Sequence, residues 1–295
     1  MPACTWHADR ATGLTCTRCD RPACPECLRE ASVGYQCVEC VRASQREQHR
    51  ATTVAGATLG SKAIVVPALI VANLVVFAIT AAQASDVLEN FRSPLFGQWT
   101  LWPPIVAGGE WWRVLTSGFL HYGPLHLAMN MLALWILGRD IELLLGRLRF
   151  FALYALSLIG GGLAVYLFGA MDTPVAGASG AVFGLMGGLV VAVLRLKLNG
   201  TQVYVLLAVN LIISVGIPGI SLLGHLGGLI VGALCTVGMV FAPPRRRAVV
   251  QWGTVAGLLV LLVALFFVRD AQLGEFQCPT NQTCYPVSGS GGIGA

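Results

Sequence analysis

Three apolar stretches carry polar side chains where hydrocarbon would normally exclude them: Ser179 in GASGAVFGLMGG, His225 in LLGHLGGLIVG, and His126 with Asn130 in LHLAMNMLALWIL. A polar group in the bilayer is costly unless something satisfies it, so such residues are functional candidates by default. Together they supply a nucleophilic hydroxyl, an imidazole that can take its proton, and two further hydrogen-bond donors. That set is sufficient to hydrolyse an acyl bond.

The elements that must position these groups follow from composition. The 295 residues are 56% hydrophobic and 11% charged, against roughly 25% charged in an ordinary soluble domain. An all-α polytopic membrane protein with a small polar N-terminal piece is expected. A helix needs about 20 apolar residues to cross a core of about 30 Å. Seven runs qualify as candidates: 63–82, 121–138, 150–169, 178–196, 202–217, 221–241 and 249–268, the fifth being the shortest. The link 83–120 does not. It carries Asp86, Glu89, Arg92, Glu110 and Arg113, is broken by Pro94, Pro103 and Pro104, and holds four tryptophans suited to the membrane interface.

The net charge of +5 does not point to nucleic acid, because beyond the N-terminal piece Arg and Lys sit at span ends. Lys62, Arg139, Arg147, Arg149, Arg195, Lys197 and Arg245–Arg247 share one side if the spans alternate, and only Arg92, Arg113 and Arg269 take the other. The positive-inside rule then puts the N-terminus in the cytoplasm and the C-terminus outside. Met1–Arg50 has no apolar core of a secretory signal. In this arrangement Ser179, His225, His126 and Asn130 gather at one depth near the outer face.

The first 40 residues pair potential ligands at short spacing: Cys4 with His7, Cys16 with Cys19, Cys24 with Cys27, and Cys37 with Cys40. Eight ligands fit two tetrahedral zinc ions. A disulfide framework is the rival, but a cytoplasmic location keeps thiols reduced. So small a segment also needs a metal or a staple to fold. Two closed four-ligand sites would be structural, since neither keeps an open position. Alternate pairing (Cys4, His7, Cys24, Cys27 against Cys16, Cys19, Cys37, Cys40) resembles a B-box-type cross-brace; spacing leaves sequential pairing open. The expected division is 1–42 zinc-binding domain, 43–62 linker, 63–241 six-span core, 242–270 seventh span and 271–295 extracytoplasmic tail. In that tail Cys278 and Cys284 are placed to bridge and VSGSGGIGA reads as linker, while Cys235 reads as packing.

Each site residue also has a simpler reading. Ser179 sits among small residues such as Gly180, Gly184 and Gly188, a pattern that marks close helix packing. It is not a G-x-S-x-G nucleophile elbow, because Ala181 fills the last glycine position. Yet it opens a span, where free N–H groups and the helix dipole favour an oxyanion. His225 alone could bind a metal or relay protons, but span six offers it no second ligand, and Gly224, Gly227, Gly228 and Gly232 invite another helix close. His126 and Asn130 lie on one helix face at i and i+4 and could merely satisfy each other. No acid completes a triad: Asp140 and Glu142 lie about 21–24 Å along the helix from His126. The arithmetic favours a Ser–His dyad.

At these residues the chain resembles the rhomboid family of intramembrane serine proteases. The resemblance runs over about 63–241 through EWWR ending at Arg113, HYGPLHLAMN from His121 to Asn130, ELLLGRLRF from Glu142, GASGAVFG from Gly177 and GHLGG from Gly224. It implies Ser179 as nucleophile, His225 as general base, and His126, Asn130 and the Ser179 N–H as the oxyanion hole, with Gly177, Gly180, Phe183 and His121 beside them. Phe183 would pack on the catalytic imidazole at a position where the family often carries tyrosine. Trp112 and Arg113 would shape the first outer loop. The implied fold is a six-helix core plus a seventh helix, with the zinc-like head as an accessory. The implied substrates are transmembrane proteins met within lipid, and the head would take an unidentified protein partner. No cofactor is required for the hydrolysis itself. Water would enter around span five and the 83–120 segment. A catalytically dead client-binding relative and, further off, a transporter remain the alternatives.

Overall fold

The polar, cysteine-rich start and the apolar remainder fold separately, as two compact units, Met1–Ala51 and Thr52–Ala295. The computed structural model describes residues 1–47, 51–59, 62–274, 276–280 and 283–286. Parts of the expected linker and the VSGSGGIGA segment lie outside the described residues.

In the first unit β1 (Ala3–Cys4) pairs antiparallel with β2 (His7–Ala11), and β3 (Leu28–Glu30) with β4 (Tyr35–Cys37). Helix α1 (Val38–Glu47) follows directly and takes in the start of the segment read as linker. The buried interior is cysteine with Ala23 and Leu28. So small a unit covers little apolar surface.

The second unit begins with α2 (Val65–Ala84). The tryptophan-rich link then forms only short helices: α3 (Pro94–Trp99), α4 (Pro103–Ala107) and α5 (Arg113–Thr116). Prolines open the first two, where a missing N–H costs nothing, and the Ser93 hydroxyl caps α3 by accepting from the Phe96 N–H. Helix α6 (Gly123–Ala133) runs through a π turn at Leu134–Gly138 into α7 (Arg139–Leu145). The long helices follow: α8 (Arg147–Phe168), α9 (Ser179–Leu196), α10 (Thr201–Gly216), α11 (Leu222–Val240) and α12 (Arg247–Leu273). A hairpin of β5 (Phe276–Thr280) and β6 (Thr283–Pro286) closes the described chain, joined by the Cys278–Cys284 disulfide.

The protein is a mostly helical, multi-pass membrane protein. Five of its described helical segments are long and apolar enough to cross a membrane: Val65–Ala84, Arg147–Phe168, Ser179–Leu196, Leu222–Val240 and Pro244–Leu273. Hydropathy marks seven runs, and the two that drop out do so for physical reasons. The 121–138 run becomes an 11-residue helix that continues through the π turn into the charged α7. The 202–217 run becomes a 16-residue helix, about 24 Å long at roughly 1.5 Å per residue.

Helices α8, α9 and α11 make the centre, and glycine sets how closely they meet. A Cβ on Gly228 would collide with the Gly180 carbonyl, and one on Gly232 with the Gly184 backbone. A Cβ on Gly161 would lie 2.7 Å from the Gly224 carbonyl oxygen. These contacts are backbone on backbone, the close approach that small residues permit in membranes.

Polar ties hold the periphery. The Glu142 carboxylate accepts the N–H groups of Ile64, Val65 and Val66 at 2.7, 2.9 and 2.9 Å, so α7 supplies the N-terminal cap of α2. On α12 the buried Gln251 accepts from Arg149 and donates to the carbonyls of Ala55 and Met239. Near the other end of that helix, Tyr166 donates to Asp270 at 2.9 Å.

Candidate active site

His126, Ser179 and His225 lie in the first turns of α6, α9 and α11, with Asn130 one turn further along α6. Ser179 is the first residue of α9, and its N–H is one of the four that a helix start leaves without an intrahelical partner. The chain reaches it through Gly177, whose φ of +139° favours glycine. The Gly177 N–H is anchored on the Ser117 carbonyl at 2.9 Å. Gly180, the next residue in α9, lies against the Gly224 carbonyl of α11.

His126 faces the same point. Its Nδ1 accepts the Tyr122 N–H at 3.2 Å, so in the neutral ring the proton sits on Nε2 and that nitrogen is a donor. A Cβ placed on Gly177 would meet His126 Nε2 at 3.1 Å and Ser179 Oγ at 3.6 Å. The imidazole edge (Cε1 at 2.9 Å from that position) already fills the place of a side chain, so glycine at 177 is what lets a donor and a hydroxyl flank the same point of the backbone. Ser179 also lines a cavity of about 30 Å³ together with Ser117, Gly177, Gly180, Ser221 and Gly224, and neither His126 nor His225 is among its lining residues. That volume holds at least one water, which needs about 10–15 Å³ by this measure.

Asn130 donates to the His126 backbone carbonyl at 2.9 Å. Amide and imidazole therefore do not satisfy each other, contrary to the simpler reading of that pair. His121 lies beside His126, edge to face with ring centroids 5.1 Å apart. It is buried, and among the described residues neither of its ring nitrogens has a hydrogen-bond partner.

His225 sits in the first turn of α11, capped by Ser221 accepting from the Gly224 N–H at 3.1 Å. Phe183 lies flat on its imidazole, centroids 4.0 Å apart and planes 11° from parallel. Its Nδ1 is 2.6 Å from Ser214 Oγ on α10. Among the described residues, Ser179 Oγ makes no hydrogen bond, to His225 or to any other group.

The 83–120 link is fixed by Arg113, which is 1% exposed. Its guanidinium pairs with Glu110 at 2.7 Å and donates to the carbonyls of Gly97 and Thr100. Trp112 beside it is exposed.

In the first unit the ligand pairs assemble in two groups, Cys4, His7, Cys24 and Cys27, and Cys16, Cys19, Cys37 and Cys40, each with its ligand atoms within 4.8 Å of one another. This is the alternate pairing. Tetrahedral zinc with bonds of about 2.0–2.3 Å places its ligands about 3.3–3.8 Å apart. Cys24 and Cys27 Sγ lie 3.5 and 3.3 Å from His7 Nδ1, and Cys19 and Cys37 Sγ are 3.8 Å apart. Both groups fit a metal ion of that kind. The backbone N–H of Arg21, and then its guanidinium, hold the Cys19 thiol below its ordinary pKa, which favours the ligating thiolate.

Three participants escape a reading of the sequence. Ser214 lies in the run LIISVG, where it is as much a polar residue in hydrocarbon as Ser179 is. Glu142 is too far along its helix to be catalytic, and its capping of α2 depends on a tertiary contact. Gln251 in the seventh run is likewise a polar residue whose partners only the fold reveals.

Residues 108–242 match the model of the rhomboid domain. The chain is similar to the rhomboid protease GluP of Bacillus subtilis, 41% identical over 133 residues that make up 43% of this chain and 26% of that one. RHOMBOID-like protein 4 of Arabidopsis thaliana is 30% identical, covering 68% of this chain and 64% of its own length. The rhomboid protease AarA of Providencia stuartii is 30% identical, with 54% of this chain matched to 67% of that one. The chain belongs to the rhomboid family. It spans about a quarter of GluP and under two thirds of RHOMBOID-like protein 4.

Proposed function

We propose that this protein is an intramembrane serine endopeptidase that cuts transmembrane proteins in or near their spans, using a Ser179–His225 dyad. The observation that carries the reading is the convergence at Gly177: Ser179 Oγ and the donor Nε2 of His126 flank the same backbone position at a helix N-terminus. As Oγ attacks the scissile carbonyl, His225 takes its proton through Nε2, the ring nitrogen not engaged with Ser214. The negative oxygen that develops is stabilised by the Ser179 N–H, His126 Nε2–H and the remaining amide hydrogen of Asn130. His225 returns the proton to the leaving amine, and water then hydrolyses the acyl-enzyme.

The same reading puts the N-terminus in the cytoplasm and the site near the outer face. It keeps the division into a zinc-binding head, linker, six-span core, seventh helix and tail. The metal in the head would be two structural zinc ions with no part in the hydrolysis. The open Ser179 hydroxyl also fits a second reading, a client-binding relative without activity. Purified protein in lipid, mixed with a model transmembrane substrate and a fluorophosphonate probe, separates the two. Cleavage and labelling that are both lost in Ser179→Ala support the protease; a wild-type protein that neither cleaves nor labels overturns it.

A further inference from the structure

Ser214 is the only residue of α10 that is buried. Its hydroxyl donates to the Asn210 carbonyl at 2.6 Å, the turn-back bond a serine commonly makes in a helix. The same oxygen lies 2.6 Å from His225 Nδ1. A hydroxyl carries one proton and two lone pairs. Both contacts can be hydrogen bonds at once only if Oγ donates to the Asn210 carbonyl and accepts from His225, which puts the imidazole hydrogen on Nδ1. The neutral ring then has its lone pair on Nε2.

We propose that Ser214 is a positioning residue for the hydrolysis: its oxygen accepts the His225 Nδ1–H, holding the imidazole in the tautomer whose Nε2 is free to act as base. The inference rests on the dyad reading and deepens it. Phe183 fixes the plane of the ring, but a ring lying flat can still carry its proton on either nitrogen. The Ser214 contact is what distinguishes the two. It meets the need that a buried carboxylate serves in a Ser–His–Asp triad, with a neutral group that costs less to keep in hydrocarbon than an ion. Mere packing would be served by alanine, which adds no buried polar atom.

Nitrogen-15 NMR of histidine-labelled protein in lipid nanodiscs tests this directly, with the His225 signal assigned by its loss in His225→Gln. The expected wild-type spectrum shows Nδ1 protonated and Nε2 bare at neutral pH. In Ser214→Ala the tautomers should mix, and kcat should fall on the order of 10- to 100-fold with KM little changed. Ser214→Thr, which retains the hydroxyl, should restore both. A wild-type ring protonated on Nε2 overturns the proposal, and does so even if Ser214→Ala fails to fold. So does a folded Ser214→Ala protein with unchanged tautomer and rate. If Ser179→Ala still cleaves, the dyad falls and this inference with it. If Ser179→Ala is dead while Ser214→Ala is fully active, the dyad stands and only the role of Ser214 is lost.

Discussion

Phe183 and His225 stack face to face, 4.0 Å between ring centroids and 11° from parallel, across the contact between α9 and α11. The phenyl ring comes from the second turn of the helix that Ser179 opens. One helix therefore supplies both the proposed nucleophile and the plate against which the proposed base lies.

An aromatic pair of this kind contributes about 0.5–1.5 kcal/mol beyond its burial. Phe183→Leu keeps apolar bulk and removes the flat face, so kcat/KM should drop on the order of 2- to 10-fold. Phe183→Tyr retains the ring and should stay within about 2-fold of wild type. Steady-state cleavage of a model transmembrane substrate measures both. Equal activity in all three proteins would show that the stack does not position the imidazole.

Glycine at 228 is required by the approach of the Gly180 carbonyl. Gly228→Ala forces the helices apart, an overpacking cost of about 1–3 kcal/mol or more, and should lower Tm in detergent by roughly 5 °C or more. Gly257 on α12 faces open space, with nothing within 4 Å of where a methyl group would sit. Gly257→Ala should leave Tm level or raise it slightly, since alanine favours a helix by about 1 kcal/mol over glycine. Thermal melting of the two variants side by side checks the contrast.

The cross-braced pairing in the head has a spectroscopic consequence. Cobalt loaded into the head should report one all-sulfur site and one site with a single imidazole. Cys16→Ser should abolish the all-sulfur spectrum and leave the imidazole site intact. Were the ligands paired in sequence, Cys16 would share the ion with His7 and the all-sulfur spectrum would survive.

Much of the candidate site is legible in the sequence because hydrocarbon makes polar residues conspicuous. His126, Ser179 and His225 stand out on that ground alone. Ser214 meets the same criterion, yet a serine near a helix end so often bonds its own backbone that its type gives no partner. The eight ligands of the head are equally plain, but spacing fixes pairs and leaves open which pairs share an ion; the fold of β1 to β4 decides that. Hydropathy marks where apolar runs lie and misses how long the helices become. The π turn at Leu134–Gly138 and the 16 residues of α10 arise from packing that a one-dimensional profile does not contain. Glu142 shows the same limit from the other side: an acid at the foot of a span reads as a boundary charge, whereas its carboxylate closes the start of α2, 76 to 78 residues away in the chain.

The glycine contacts between α9 and α11 also set what the joint tolerates. At Gly180–Gly228 and Gly184–Gly232 a carbonyl faces an α-carbon with no side chain between them, so a larger residue at 228 or 232 must displace backbone and cannot be absorbed by turning a side chain. Ser179 and His225, each in the first turn of one of these helices, ride on a seam that accepts no added atom.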